Sequence, residues 1–113
     1  MEVAISKHGA IDGLVNNAGI CPSEGELPDY DLYRSIIDTN VGGTFNVGSE
    51  VLPHMIKRGV GAIVNIGSTS SLVGKNRLSL YASSKHAILG LTRSWALDFA
   101  KSGVRVNAVG PGK

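Results

Sequence analysis

Gly61-Ala62-Ile63-Val64-Asn65-Ile66-Gly67-Ser68 is the stretch on which the fold turns. It begins apolar and β-branched and closes on a glycine and a serine. That pattern reads as a buried strand over 61–66 ending in a small polar turn. Upstream, Leu32, Ile36 and Ile37, then Val41, Phe45, Val47, Val51, Leu52 and Met55, recur at helical spacing. Asp29 or Asp31 is placed to cap that helix near Tyr30, and Arg58-Gly59 closes it. Gly42-Gly43, just after Asn40, is a poor helix interior and predicts a kink.

Downstream of Ser68 a loop reaches to about Leu80, followed by an apolar helix from Tyr81 to about Ala100. Ile88, Leu91, Trp95 and Phe99 give it bulk for a core or an interface. Ser83, Ala87, Gly90 and Ser94 form a stripe of small residues, suited either to another helix or to the chain's own sheet. Gly103 ends the helix, and Val104–Val109 is a further strand running into Gly110-Pro111-Gly112. Toward the N-terminus, Ile11 to Ala18 reads as a strand ending in the turn Asn16-Asn17-Ala18-Gly19, followed by a loop from Ile20 to Pro28. Met1 to about His8 reads as the end of a helix closed by Gly9.

Strand, helix, strand, helix, strand is a βαβαβ unit, and continuous apolar strands imply a parallel sheet with right-handed crossovers. The fold expected is therefore α/β: three strands and two main helices of a Rossmann-like, doubly wound sheet. In such sheets ligands bind outside the carboxyl ends of the strands. The turns after Asn16, Ile66 and Val109 should then meet the head of the Tyr81 helix around one crevice.

Tyr81-Ala-Ser-Ser-Lys85 places a phenol and an ammonium four residues apart, on one face of a helix. A free phenol has a pKa near 10, about three units too high for a base at neutral pH, and a neighbouring positive charge favours the phenolate. The pair is thus a candidate proton-transfer device, although the same spacing also occurs on plain solvated helix faces.

Composition narrows the classes. Apolar residues make up 42% and charged ones 18% of 113, as in one soluble globular domain. The net charge of +2 comes without a Lys/Arg cluster, which gives no case for nucleic acid or a membrane surface. The single cysteine, Cys21, excludes an internal disulfide and suits a reducing, cytoplasmic compartment. His8, His54 and His86 lack metal-ligand spacing and read as ordinary surface or boundary residues, so no metal is expected. The N-terminal residues lack the apolar run of a signal peptide, and no segment has the length of a membrane span.

Five segments together resemble the middle of a short-chain dehydrogenase/reductase. They are Asp12-Gly-Leu-Val-Asn-Asn-Ala-Gly19, Asp38-Thr-Asn40, Ile63-Val-Asn-Ile-Gly-Ser68, Tyr81-Ala-Ser-Ser-Lys85 and Val104-Arg-Val-Asn-Ala-Val-Gly-Pro-Gly112. They stand in family order and spacing and cover essentially the whole chain. Gly67, where many relatives carry a second serine, is a small departure.

The resemblance implies an oxidoreductase that moves a hydride between NAD or NADP and an alcohol or carbonyl substrate. Tyr81 would be the general acid/base. Lys85 would favour its phenolate and hydrogen-bond the nicotinamide ribose. Ser68 would donate to the substrate oxygen, an oxyanion-type contact. Asn40 would sit at the kink and help to hold a water linking Lys85 to solvent. Asn16, Asn17, Ala18 and Gly19 would line the cofactor crevice, with Pro111 and Gly112 bordering the nicotinamide. Asn16-Asn17 as turn residues and Pro111-Gly112 as a strand terminator are the plainer readings.

The family's phosphate-binding glycine loop is not in the sequence, nor is the strand end that selects NAD against NADP. Residues 1–113 are therefore expected to be a partial NAD(P)-binding domain, without its glycine-loop half and its C-terminal substrate region. The whole is expected to be a three-layer αβα protein of about twice the length, forming a homo-oligomer, dimer or tetramer. Two alternatives stand: an NAD-dependent epimerase or dehydratase with a similar Tyr-Lys pair, or a non-catalytic dimerisation or scaffold fragment.

Overall fold

Apolar alternation in the strands and helical periodicity between them give the element order β1 (Gly13–Asn16), α1 (Tyr30–Ile37), a π turn (Asp38–Gly42), α2 (Gly43–Arg58), β2 (Gly61–Ile66), α3 (Ser79–Phe99), a 3₁₀ turn (Ala100–Ser102) and β3 (Val104–Val109). This is the architecture of a computed structural model that describes residues 9–17, 19–27, 29–68 and 78–110. The expected helix over Met1 to His8 lies outside the described residues. The sheet order is β1-β2-β3, and both pairings are parallel. Val15 stands opposite Val64, and Ile63 opposite Val106. The fold is the partial, Rossmann-like α/β unit expected.

The strand period of two decides what is covered. Gly61, Ile63 and Asn65 of β2 are buried together with Val104 and Val106 of β3, whereas Ala62, Val64 and Ile66 are only half-buried. Ile63, Val104 and Val106 pack with Val51, Leu52 and Met55 of α2 and Trp95 of α3 in one hydrophobic cluster. Both long helices therefore lie on one face of the sheet. The opposite face, where Val15 is 61% exposed, is covered by no helix among the described residues.

Asp29 caps α1 as expected, its carboxylate accepting the N–H groups of Asp31 (3.0 Å) and Leu32 (3.4 Å). The kink expected at Gly42-Gly43 is the π turn, which directs Asn40 into the interior. Helices α2 and the 3₁₀ turn end on Gly59 (φ 73°) and Gly103 (φ 82°), in the left-handed conformation that favours glycine. The two caps touch: a Cβ on Gly103 would run into the carbonyl of Gly59. Together they fix the amino ends of β2 and β3, the pole opposite the strand carboxyl ends.

Two details differ from the sequence reading, and one narrows a choice it left open. β1 is shorter than Ile11–Ala18 and covers Gly13–Asn16, the residues in register with Ala62–Asn65 of β2, while the Ile11 N–H before it donates to His54 Nε2 (3.1 Å). His54 is thus a structural acceptor. Helix α3 begins two residues before Tyr81, at Ser79. Of the two partners left open for the small-residue stripe Ser83, Ala87, Gly90 and Ser94, the chain's own sheet is excluded: the stripe faces solvent, and the sheet side of α3 carries Ala82, Ser84, Lys85, Ile88, Thr92 and Trp95.

Candidate active site

The sheet brings the end of β2 against the middle of α3's first turns, and there Lys85 is buried, only 6% exposed. Its Nζ donates to the carbonyl of Ile66 (3.2 Å), the last residue of β2. The same Nζ lies 5.7 Å from the centroid of the Tyr81 ring. The i, i+4 spacing thus brings ammonium and phenol together at the carboxyl end of the sheet, with Tyr81 half-buried. Loss of water around the buried Lys85 lowers its pKa from the ordinary 10.5, and charge on the Cys21 thiol acts in the opposite direction.

Asn40 comes to the same place from the π turn and is completely buried. Its Oδ1 accepts the Ile20 N–H (2.7 Å), while Nδ2 donates to the Ile20 carbonyl (2.9 Å) and to Ser84 Oγ (3.1 Å). The Asn40 carbonyl accepts from Thr44 Oγ1 (3.3 Å), so one partner of the carbonyl at the kink is a hydroxyl of the chain itself. Gly19 sits against both groups: a Cβ there would lie 3.2 Å from Asn40 Oδ1 and 3.4 Å from Lys85 Nζ. A side chain at position 19 would crowd the amine, which gives the glycine of Asn16-Asn17-Ala18-Gly19 a physical reason.

Ser68 is half-buried two residues past Ile66, and β3 ends beside it. A Cβ on Gly110 would lie 3.4 Å from the Ser68 carbonyl. Asn17 and Gly19 at the end of β1 are exposed, as is Gly110 at the end of β3. The side-chain amide of Asn16, at the end of β1, points inward. It donates to Asn65 Oδ1 (2.9 Å) and at longer range to the Thr44 carbonyl (3.5 Å). Ala18, Pro111 and Gly112 lie outside the described residues. Tyr81, Lys85, Asn40, Gly19 and the ends of β2 and β3 are therefore one neighbourhood, as the strand ends implied.

Some members of this neighbourhood were not picked out from sequence. Ser84 receives the Asn40 amide and donates to the Tyr81 carbonyl (2.7 Å). Asn65 donates to Thr92 Oγ1 (3.0 Å), which in turn donates to the Ile88 carbonyl (2.7 Å). These bonds tie β1, β2 and α3 together beneath the Tyr-Lys pair and leave no buried side-chain polar atom unpartnered among the described residues. A polar Asn65 inside an otherwise apolar strand was the available signal.

The residues present fit a nicotinamide nucleotide at these strand ends. Gly19 and Gly110 are exposed there and present backbone without a side chain, and the Lys85 ammonium lies next to Gly19. Among the described residues no group of His, Cys, Asp and Glu is placed to hold a metal ion. None of the described helices is long and apolar enough to cross a membrane.

Comparison with known proteins bears on the same residues. The family model described as short chain dehydrogenase matches residues 1–113. A 2-(R)-hydroxypropyl-CoM dehydrogenase from Xanthobacter autotrophicus is 46% identical over 116 residues, covering 99% of this chain and 46% of that protein. The structure of ElxO with NADP bound superposes with a TM-score of 0.92 at 44% identity, over 98% of this chain and 46% of that one. NAD+-bound xylitol dehydrogenase gives a TM-score of 0.93 at 35% identity, over 98% and 44% of the two chains. The chain thus spans a little under half the length of these relatives. Since the match runs through every segment that builds the neighbourhood of Tyr81 and Lys85, the chain belongs to the short-chain dehydrogenase family.

Proposed function

We propose that the protein is an oxidoreductase that interconverts an alcohol and a carbonyl compound with NAD or NADP, and that Tyr81 moves the proton. The observation that carries this reading is the buried Lys85 ammonium beside the Tyr81 ring, at the end of the sheet where ligands bind. The bound nicotinamide supplies the acceptor, or in reverse the donor, of the hydride on the substrate carbon. In the oxidising direction the Tyr81 oxygen takes the hydroxyl proton as the carbon–oxygen double bond forms. Lys85, with an ammonium stripped of much of its water, favours charge on that oxygen and would hold the nicotinamide ribose. Ser68 donates a hydrogen bond to the substrate oxygen, a contact that strengthens as negative charge develops there. Asn17, Ala18, Gly19, Pro111 and Gly112 border the cofactor, and Asn16 contributes through its backbone. Asn40 supports the site by holding Ile20 and Ser84.

We place the full-length protein in the cytoplasm, where the exposed, unpaired thiol of Cys21 is kept reduced. Its homo-oligomer would form through the exposed faces of α2 and α3. Phe45 (50% exposed) and Leu97 (82% exposed) stand there beside the solvent-facing small-residue stripe. The decisive experiment measures NAD(P)H absorbance with the full-length protein over a panel of alcohols and ketones, with Tyr81→Phe in parallel. Loss of turnover in the variant is expected; equal rates would overturn the assignment. Light scattering on the same sample reads the oligomeric state.

A further inference from the structure

Helix α3 carries the reacting pair yet has no cap of its own. Its N-cap residue, Leu78, offers no side-chain hydrogen bond, so the N–H groups of the first turn need partners from elsewhere. They find one more than fifty residues earlier in the chain. Glu24, half-buried in the loop between β1 and α1, accepts the Leu80 N–H on Oε1 (3.0 Å) and the Tyr81 N–H on Oε2 (3.1 Å). Ser79 Oγ adds a longer bond to Oε1 (3.5 Å). Leu80 and Tyr81 are the second and third residues of α3, the positions whose N–H groups a local cap would satisfy. A carboxylate there also complements the positive end of the helix dipole.

The backbone of Tyr81 is thus gripped on both sides. Glu24 holds its N–H, and Ser84 holds its carbonyl (2.7 Å) while itself bonded to Asn40. The loop that carries Glu24 is anchored at its other end, where Asn40 binds both backbone groups of Ile20. We propose that Glu24 is a positioning residue for the reaction. Its carboxylate replaces the missing cap of α3 and registers Tyr81 against the loop that leaves the end of β1. The inference rests on the proton-transfer reading of Tyr81 given above. It adds that a residue acting through the Tyr81 backbone N–H sets the place of the phenol, and misplacement by about 1 Å can cost about 10²-fold in rate.

The test uses the full-length enzyme with Glu24→Ala, Glu24→Gln, Tyr81→Phe and, as a control cap, Asp29→Ala. Asp29 likewise accepts two first-turn N–H groups, but on α1, which holds no reacting side chain. At a temperature where every variant is folded, Glu24→Ala is expected to lower kcat by about 10- to 100-fold with less than about threefold change in KM. Glu24→Gln keeps one acceptor oxygen at the same reach and is expected to recover part of that loss. Asp29→Ala, despite losing a comparable cap, is expected to keep kcat within about threefold of the parent. An unchanged kcat in Glu24→Ala, or an equal fall in the two cap variants, overturns the proposal. If Glu24→Ala does not fold, a Glu24→Gln kcat equal to that of the parent overturns it. Retained activity in Tyr81→Phe sinks the proton-transfer reading itself, whereas an inactive Tyr81→Phe beside a fully active Glu24→Ala sinks only the role of Glu24.

Discussion

Replacing Asn40 by alanine tests how the site is held together. The side chain is fully buried and makes three hydrogen bonds, two to the peptide groups of Ile20 and one to Ser84 Oγ. Three bonds at about 1 kcal/mol each give an upper figure of about 3 kcal/mol. Ile20 is 36% exposed, so water can take over part of its peptide bonding, and the expected loss is about 2 kcal/mol. At roughly 2–4 °C per kcal/mol for a full-length protein about twice this size, the melting temperature should fall by about 4–8 °C. Urea unfolding followed by the fluorescence of Trp95, the single tryptophan and a core residue, measures the loss. A cycle with Ser84→Ala isolates the Asn40–Ser84 bond, and a coupling of about 1 kcal/mol is expected. A loss below about 0.5 kcal/mol for Asn40→Ala, or no coupling in the cycle, would refute the view that this amide joins the loop, the π turn and α3.

Lys85→Met bears on the cost of burying an amine. The folded protein holds the Lys85 pKa below 10.5 by burial, so the unfolded chain binds this proton more tightly. The group therefore lowers stability at every pH below its folded pKa. That cost shrinks as pH rises from the folded pKa toward 10.5 and vanishes above it. Lys85→Met is expected to raise the urea midpoint at pH 7, to lose the alkaline part of the stability rise, and to abolish turnover; a lower midpoint at pH 7 contradicts this. Gly48→Ala tests the contact between α2 and α3. The new methyl would sit 2.5 Å from Trp95 Cζ3 and 2.8 Å from Cη2, both in the core. Overpacking of about 1–3 kcal/mol outweighs the gain of about 1 kcal/mol from better helix propensity, so the variant should be less stable. An urea midpoint equal to the parent's counts against this packing.

What was legible in the sequence was local. β2 and β3 carry the boundaries read for them, because glycines flank both and β-branched residues fill them. Asp29 was one of two candidates for the cap of α1, and Gly42-Gly43 announced an irregular helix without giving its kind. The adjacency of Tyr81 and Lys85 followed from helical spacing alone. What stayed hidden depends on partners far apart in the chain. Nothing around Leu78 tells that Glu24 caps α3, so the helix start was read two residues late. The inward turn of Asn16 depends on Asn65, 49 residues away, and the partner of the Ile11 N–H is His54, 43 residues away. Polar side chains inside a fold choose among many distant partners, and one sequence does not rank them.

The turn at Asp38–Gly42 also sets a phase. In a regular helix each residue advances by about 100° around the axis, so residues on one side of a rod drift away from those several turns on. Wider winding over these five residues cancels part of that advance and lets Ile36, Asn40, Thr44, Gly48 and Met55 all face inward along one rod. Deleting a single residue between Ile37 and Gly43 would leave the composition nearly intact, yet it would let the segment close into a regular α-helix and remove the turn that carries Asn40 inward. In this segment the number of residues is as much a determinant of the architecture as their chemistry.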